Sequence, residues 1–454
     1  MRASHALVPV FDDPNLVSVA GLVPVLELAE AAGFSSAVCQ ASTLPAANLV
    51  AKVRTVVAGM LAGADSIDDL DVLRVGGTAR VLGGLRAPST IGTFLRSFTH
   101  GHVLQLHGAN RRLLTGLAGK VPGLVGADDL VFVDVDDTIR AVHGYQKQGA
   151  GFGYSGVRGL NALLTTISTP TCAPVVAECS LRRGATRSGK GADWHLARAL
   201  TTVKAVTGPD QRAWVRGDSA FATAENVHTA IKAQAWFSFT VPAWPTVTRA
   251  ISQIPEEAWT AIEYPNAIWD EQDRQWVSEA EVAETTFTAF VSHPAAEQVT
   301  CRLVVRRVKR LGQGPGADQG ELFTAYRHHA FITNTTLQAV QADALHRGHA
   351  IVEQVIAELK AGPLAHLPSG KFSANAAWLA FAVMAFNISR AAAVAAGTPR
   401  ARMATVLRTI ITTPARLAAT GRRLIMHLPT RWPWAQAWTN LWDAANGPPV
   451  ATMP

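Results

Sequence analysis

The most constraining stretch of this chain is Leu130-Val131-Phe132-Val133-Asp134-Val135-Asp136. Its β-branched and aromatic residues read as a strand, and the two-residue period of a strand puts Phe132, Asp134 and Asp136 on one face. A carboxylate on an apolar strand is costly unless it is paired or bound to a cation. The strand must therefore lie in a sheet where something positive meets that face. Further strand-like runs at 173–179 and 213–216, with a helical stretch at 193–206 between them, place it in an α/β or α+β core.

The flanks read differently. From about 15 to 112 the apolar residues, such as Val23, Leu26, Leu28 and Ala29, fall at helical spacing, and Ala87-Pro88-Ser89-Thr90 makes a good start for the helix that continues to Arg96. Such a helix could lie on DNA, although packing explains the pattern more simply. Between 236 and 331 alternation returns, at 261–264, 285–291 and 301–308, as expected of a β-rich insertion; its Gly-rich loop at 311–320 reads as a flexible connection. Beyond Leu337 the chain reads as helical.

Composition narrows the function. With 454 residues, 48% hydrophobic and 17% charged, the chain can bury a large core, which excludes a disordered or fibrous protein. Lys+Arg number 41 against 34 Asp+Glu, and only nine of the 41 are lysine. A guanidinium-heavy surplus suits bidentate phosphate contacts. It is concentrated at 361–442, which holds no Asp or Glu but does hold Lys371, Arg390, Arg400, Arg402, Arg408, Arg416, Arg422, Arg423 and Arg431. A one-signed stretch of that length points to a phosphate-backbone surface, with a solvated face as the alternative. Cys39, Cys172, Cys179 and Cys301 have neither zinc spacing nor the density of a disulfide scaffold, which points to a reducing, cytoplasmic setting. The first residues lack the apolar core of a signal peptide, and the apolar run 376–386 is too short to span a bilayer, so no membrane role is expected.

Three carboxylate sites stand out: Asp134/Asp136, Asp218 in Trp214-Val215-Arg216-Gly217-Asp218-Ser219-Ala220-Phe221, and Glu353 on an Ile- and Val-rich helix. Converging carboxylates are what Mg²⁺ or Mn²⁺ needs to clamp a phosphodiester. Taken singly, Asp218 as a turn residue and Glu353 facing water explain the sequence equally well. Helical spacing, however, puts Glu353, Lys360, His346 and His349 on one face. The two histidines could suggest zinc, but no third ligand is evident nearby. Gly184-Ala185-Thr186-Arg187-Ser188-Gly189-Lys190 matches the first seven positions of a P-loop, yet Gly191 stands where the Mg²⁺-holding hydroxyl belongs, so it reads instead as a mobile basic hairpin.

Taken together, these residues resemble a bacterial insertion-sequence DDE transposase of insertion-sequence family thirteen-eighty, whose catalytic region is called transposase DDE domain group one. Asp134-Val135-Asp136-Asp137-Thr138 with His143-Gly144-Tyr145-Gln146 is similar to the family's strand signature. Arg216-Gly217-Asp218-Ser219-Ala220-Phe221, Thr333-Asn334, the segment 367–375 and Ala385-Phe386-Asn387 resemble further family blocks. The signature Tyr-x2-Arg-x3-Glu-x6-Lys of related transposases falls on His346, His349, Glu353 and Lys360, with both histidines departing from it.

The resemblance implies an α/β, RNase H-like catalytic core with a β-rich insertion, preceded by a helical domain and followed by C-terminal helices. It divides the chain into a helical DNA-binding domain at 1–125, core at 126–236, insertion at 237–332, core with the catalytic Glu helix at 333–395, and a basic helical region at 396–454. Asp136, Asp218 and Glu353 are the implied catalytic acids and ligands of two Mg²⁺ ions, which Mn²⁺ may replace, with Asp134 as the runner-up first ligand. Lys360, His346, His349, Arg347, Arg422 and Arg423 are the implied DNA contacts. The implied activity is metal-dependent cleavage at terminal inverted repeats and strand transfer into target DNA, by a homodimer acting on double-stranded DNA at the nucleoid. An inactive DNA-binding protein of the same fold, or a nuclease without strand transfer, is the alternative.

Overall fold

A computed structural model describes residues 7–125, 130–144, 146–208, 211–270, 275–309, 326–421 and 423–447. The N-terminal segment folds into α1 (Leu22–Ala31), α2 (Phe34–Ala41), α3 (Leu49–Leu61), α4 (Pro88–Arg96) and α5 (His100–Lys120), with shorter helices between. Pro88 opens α4 where no N–H is needed, and Thr99 caps α5 by accepting from the His102 N–H while the His102 ring accepts from the Thr99 N–H.

The centre is a ten-stranded sheet. Strands β1 (Val131–Ala141), β2 (Arg158–Ser168), β3 (Val175–Arg183), β4 (Ala213–Gly217) and β5 (Trp236–Val241) lie in the order β3-β2-β1-β4-β5, with β4 and β5 parallel to β1 and the other two pairings antiparallel. Helix α6 (Ala192–Thr207) links β3 to β4, and α7 (Ala224–Lys232) links β4 to β5. This is the RNase H-like arrangement. Four antiparallel strands of the insertion extend it beyond β5: β6 (Thr260–Asp270), β7 (Gln275–Ala289), β8 (Val299–Lys309) and β9 (Tyr326–Thr333), with β9 returning to pair with β5. The Thr333 hydroxyl donates to the Phe237 carbonyl at 2.6 Å, and Asn334 closes the junction by accepting from the Phe237 N–H at 2.7 Å. The Gly-rich loop at 311–320 lies outside the described residues.

The two faces of β1 are covered differently. Val131, Val133 and Val135 join the main core with Leu196, Ala199 and Leu200 of α6. Phe132 joins a second cluster with Trp214, Phe331 and Ala342, the last on α8 (Ala339–Arg347). Helix α9 (Ile351–Lys360) follows after a 3₁₀ turn at Gly348–Ala350.

Helix α10 (Phe372–Ala395) is long and apolar enough to cross a membrane, but 94% of its most apolar window is buried inside the molecule, so it is a core helix. It shares the main core with the N-terminal helices, and the Asn387 side chain accepts from the N–H of Val176 and donates to its C=O, both at 2.8 Å, covering β3. The expectation of continuous helix after Leu337 needs correction: β10 (Ala415–Thr420) and β11 (Arg423–His427) form a hairpin that pairs with Leu16 and Val17, before α11 (Ala435–Asn446). Arg416, Leu417 and Ala418 alternate with no helical stripe, and the pairing partner for the hairpin comes from the other end of the chain. All four cysteines are free.

Candidate active site

The first two acids are placed by the sheet and the third by a helix packed over it. Asp136 sits on β1, Asp218 immediately follows the parallel neighbour β4, and Glu353 lies in the first turn of α9, which packs on β1. Parallel strands bring their carboxyl ends to the same edge of a sheet, which is why residues far apart in sequence meet there.

Their electrostatics are those of neighbouring acids. Burial pushes the Asp136 carboxyl up to about 7, and the nearby carboxylates of Asp218, Asp137 and Glu353 add to the shift, opposed by the Asp137 N–H that Asp136 accepts at 2.7 Å. Asp218, though exposed at the surface, is likewise raised, first by partial desolvation of its carboxyl, against the Ala220 N–H it accepts at 2.9 Å. Like charges held together in a low-dielectric setting raise each other's pKa unless a cation compensates. Hard oxygen donors in such a set suit a hard divalent cation. As the side chains stand, with two of them turned onto backbone N–H groups, no three His, Cys, Asp or Glu among the described residues are drawn together enough to hold a metal ion. Lys360 comes close as well: its Nζ is 3.4 Å from the Thr138 hydroxyl on β1.

Asp134 is not part of this set, which corrects its place as a possible first ligand. It is fully buried and gripped from two sides: Arg216 Nε donates to Oδ1 at 2.6 Å and Nη2 to Oδ2 at 2.8 Å, and Ser168 adds a third bond at 3.2 Å. Both carboxylate oxygens are spent on a bidentate pair. Arg216 also lies 3.8 Å over the Phe132 ring and donates to the Leu345 carbonyl at 2.5 Å, tying the end of α8 to the sheet. This positioning residue was missed in the sequence. Asp134 and Arg216 fall opposite each other only in the β1–β4 register of the folded sheet.

His346 also needs correction as a DNA contact. It is buried, its ring nitrogens meet the hydroxyls of Ser238 at 2.8 Å and Thr240 at 3.0 Å, and the ring stacks on Phe331 at 4.2 Å. Burial holds its pKa well below the usual histidine range, so it carries no charge for a phosphate. The expected single face with Glu353 is broken by the 3₁₀ turn, which separates α8 from α9. His349 stacks on His346 and bonds its backbone carbonyl at 2.7 Å, and Arg347 pairs with Asp343 at 3.0 Å. Arg423 is exposed at the start of β11, while Arg422 lies outside the described residues. Arg390, expected within the DNA-facing arginines, is buried against Glu358 at 2.7 Å instead.

The family model described as transposase DDE domain group 1 matches residues 3–445. The chain belongs to this transposase family. A DDE domain of this kind is in general a nuclease and transesterase that works with divalent metal ions. Among solved structures, the chain is similar to the cryo-EM structure of a piggyBac transposase synaptic complex with hairpin DNA, at 10% identity and TM-score 0.39, over 89% of this chain and 80% of that one. No match was found among curated proteins.

The segment 184–190 is neither a P-loop nor a free hairpin in this transposase-family chain. Asp137 fixes it, bonding Arg182, Asn161 Nδ2 at 2.7 Å and the Ser188 hydroxyl at 3.1 Å. Arg182 in turn donates to the carbonyls of Ser188 and Lys190, both at 2.8 Å.

Proposed function

We propose that this protein is a DDE transposase of insertion-sequence family thirteen-eighty that cleaves DNA at the terminal inverted repeats of its own element and joins the freed ends to target DNA. What supports this reading is the placement of Asp136 on β1, Asp218 after the parallel β4 and Glu353 on α9 packed over β1, in a family whose general activity is phosphodiester cleavage and transfer. Asp136, Asp218 and Glu353 would hold Mg²⁺ or Mn²⁺, which supplies Lewis-acid stabilisation of phosphodiester oxygens and a more acidic nucleophile. Lys360, close to β1, would steady the scissile strand, and Asp134 and Arg216 would keep the acid-bearing strands in register. Double-stranded DNA, in a homodimeric complex at the nucleoid, is the proposed partner.

The test is incubation of the full chain with Mg²⁺ and a DNA carrying the flanking repeats plus a target plasmid. Cut ends followed by joined products are expected. Cutting without joining would leave a nuclease of the same fold, and binding without either would leave a DNA-binding protein.

A further inference from the structure

The tenth strand of the sheet, Gly151–Phe152, pairs antiparallel with the start of β2, and it and the turn that follows bear two aromatic side chains with nothing over them: Phe152 is 66% exposed and Tyr154 109%. They stand on a hairpin held close to its neighbours. The Gly184 N–H donates to the Gly149 carbonyl at 3.0 Å, and a Cβ on Gly184 would sit 2.1 Å from the Gly159 carbonyl oxygen and 2.4 Å from that of Gly151. Three backbones thus touch where only glycine fits, and the aromatic tip is braced against the strap 184–190. The strap's far end abuts the second acid's turn, since a Cβ on Gly189 would meet the Ala220 carbonyl at 2.7 Å.

The exposed charge on the strap is basic, and the carboxylate that reaches it, Asp137, is paired with Arg182. Between Thr138 and Ala192 the sole acid is Glu178. It is buried, accepting from Arg111 at 2.6 Å and Arg198 at 2.9 Å. Arg183, Arg187 and Lys190 are exposed on the strap. An exposed aromatic pair on its own is open to many occupants, but one continuous with a basic path that leads to phosphodiester chemistry fits a nucleic acid, which offers phosphates to the strap and base faces to the rings.

We propose that Phe152 and Tyr154 form a wedge that enters the duplex beside the phosphate held at the acids, while Arg187 and Lys190 hold the adjoining backbone. The wedge unstacks the base pairs at the junction between element and flanking DNA. This rests on the transposase reading above.

The test is permanganate footprinting of thymines on a duplex spanning the element's end and its flank, bound in Ca²⁺ so that no cleavage intervenes. Wild-type protein is expected to make thymines within about two pairs of the junction hyperreactive. The F152S/Y154S protein should lose that reactivity while its affinity stays within about threefold, since both side chains are exposed and their loss leaves the fold intact. R187Q/K190Q should bind about tenfold or more weakly, with a lower salt slope. If the wild type binds the junction without hyperreactive thymines, or F152S/Y154S gives the same pattern, the wedge is overturned and the transposase reading stands. If the wild type does not bind the junction at all, both fall.

Discussion

Two carboxylates stand two residues apart on one face of one strand, and the protein treats them in opposite ways. Asp134 is sealed: a guanidinium and a hydroxyl satisfy both oxygens and no solvent reaches it. Asp136 is left with carboxylates for neighbours and a pKa near 7. The difference is the depth of the strand in the sheet, because β4 ends at Gly217 and so offers Arg216 to the first acid but no counter-charge to the second. A buried charge that is fully paired is structural, whereas one left unpaired among like charges marks where a cation and a substrate belong.

The largest effect should follow from the open side. Replacing Asp218 by Asn keeps the shape and the oxygen that accepts from Ala220 but removes a charge, so cleavage should fall by about three orders of magnitude or more while DNA-end binding persists. Gel assays of cutting and binding on the same preparations check this. Loss of binding and folding together would put Asp218 on the sealed side of the comparison.

The sealed side should answer in stability. Asp134→Ala leaves Arg216 buried with no counter-charge, at a cost of about 3–5 kcal/mol, read as a lowered denaturant midpoint. Asp134→Asn should cost less, because the amide oxygen still accepts. If Asp134→Ala were as stable as wild type yet inactive, the roles of the two acids would have to be exchanged.

A smaller effect separates the acids by pH. The folded Asp136 carboxyl is raised to about 7, so the protein without metal is favoured by its protonation and loses that stability as pH rises from about 4 through 7. Asp136→Asn should flatten this limb and raise the melting temperature at pH 8 by about 2 °C, for a recovered contribution on the order of 1 kcal/mol. Mg²⁺ should stabilise the wild type more at pH 8 than at pH 6, because the ligand must be deprotonated.

What the sequence made legible follows the same division. Strand periodicity was enough to place Asp136 with Phe132 on one face, and motif spacing drew attention to Asp218 and Glu353, which the fold brings to the neighbourhood of Asp136. Arg216 was missed because a bidentate pair across parallel strands depends on register, which no local pattern encodes. His346 misled because a continuous helix was assumed where the chain makes a 3₁₀ turn at Gly348–Ala350, which moves the ring into the core beside Ser238 and Thr240. The hairpin at 415–427 escaped notice because its third strand, Leu16–Val17, lies some four hundred residues earlier in the chain.

The comparison extends to the basic side chains, where the expected effect is smallest. The acid-free stretch 361–442 suggested a continuous phosphate-facing surface, but counter-charges arrive from outside it. Glu358 takes Arg390 at 2.7 Å, Asp13 takes Arg416 at 3.0 Å, and Arg400 donates to the carbonyls of Pro170 at 3.0 Å and Thr171 at 3.4 Å. Arg390 is sealed in the sense that Asp134 is, whereas Arg416 and Arg400 are exposed but already partnered. Arg408, Arg423 and Arg431 remain exposed. Arg423→Ala should therefore lower the salt slope of DNA binding by about one and change affinity only a few-fold, whereas Arg416→Ala should leave the slope where it is, because that side chain already faces Asp13. Binding isotherms at several salt concentrations separate the two. Equal slopes for Arg423→Ala and wild type would confine this region to packing and leave the strap beside the acids as the stronger candidate for backbone contact.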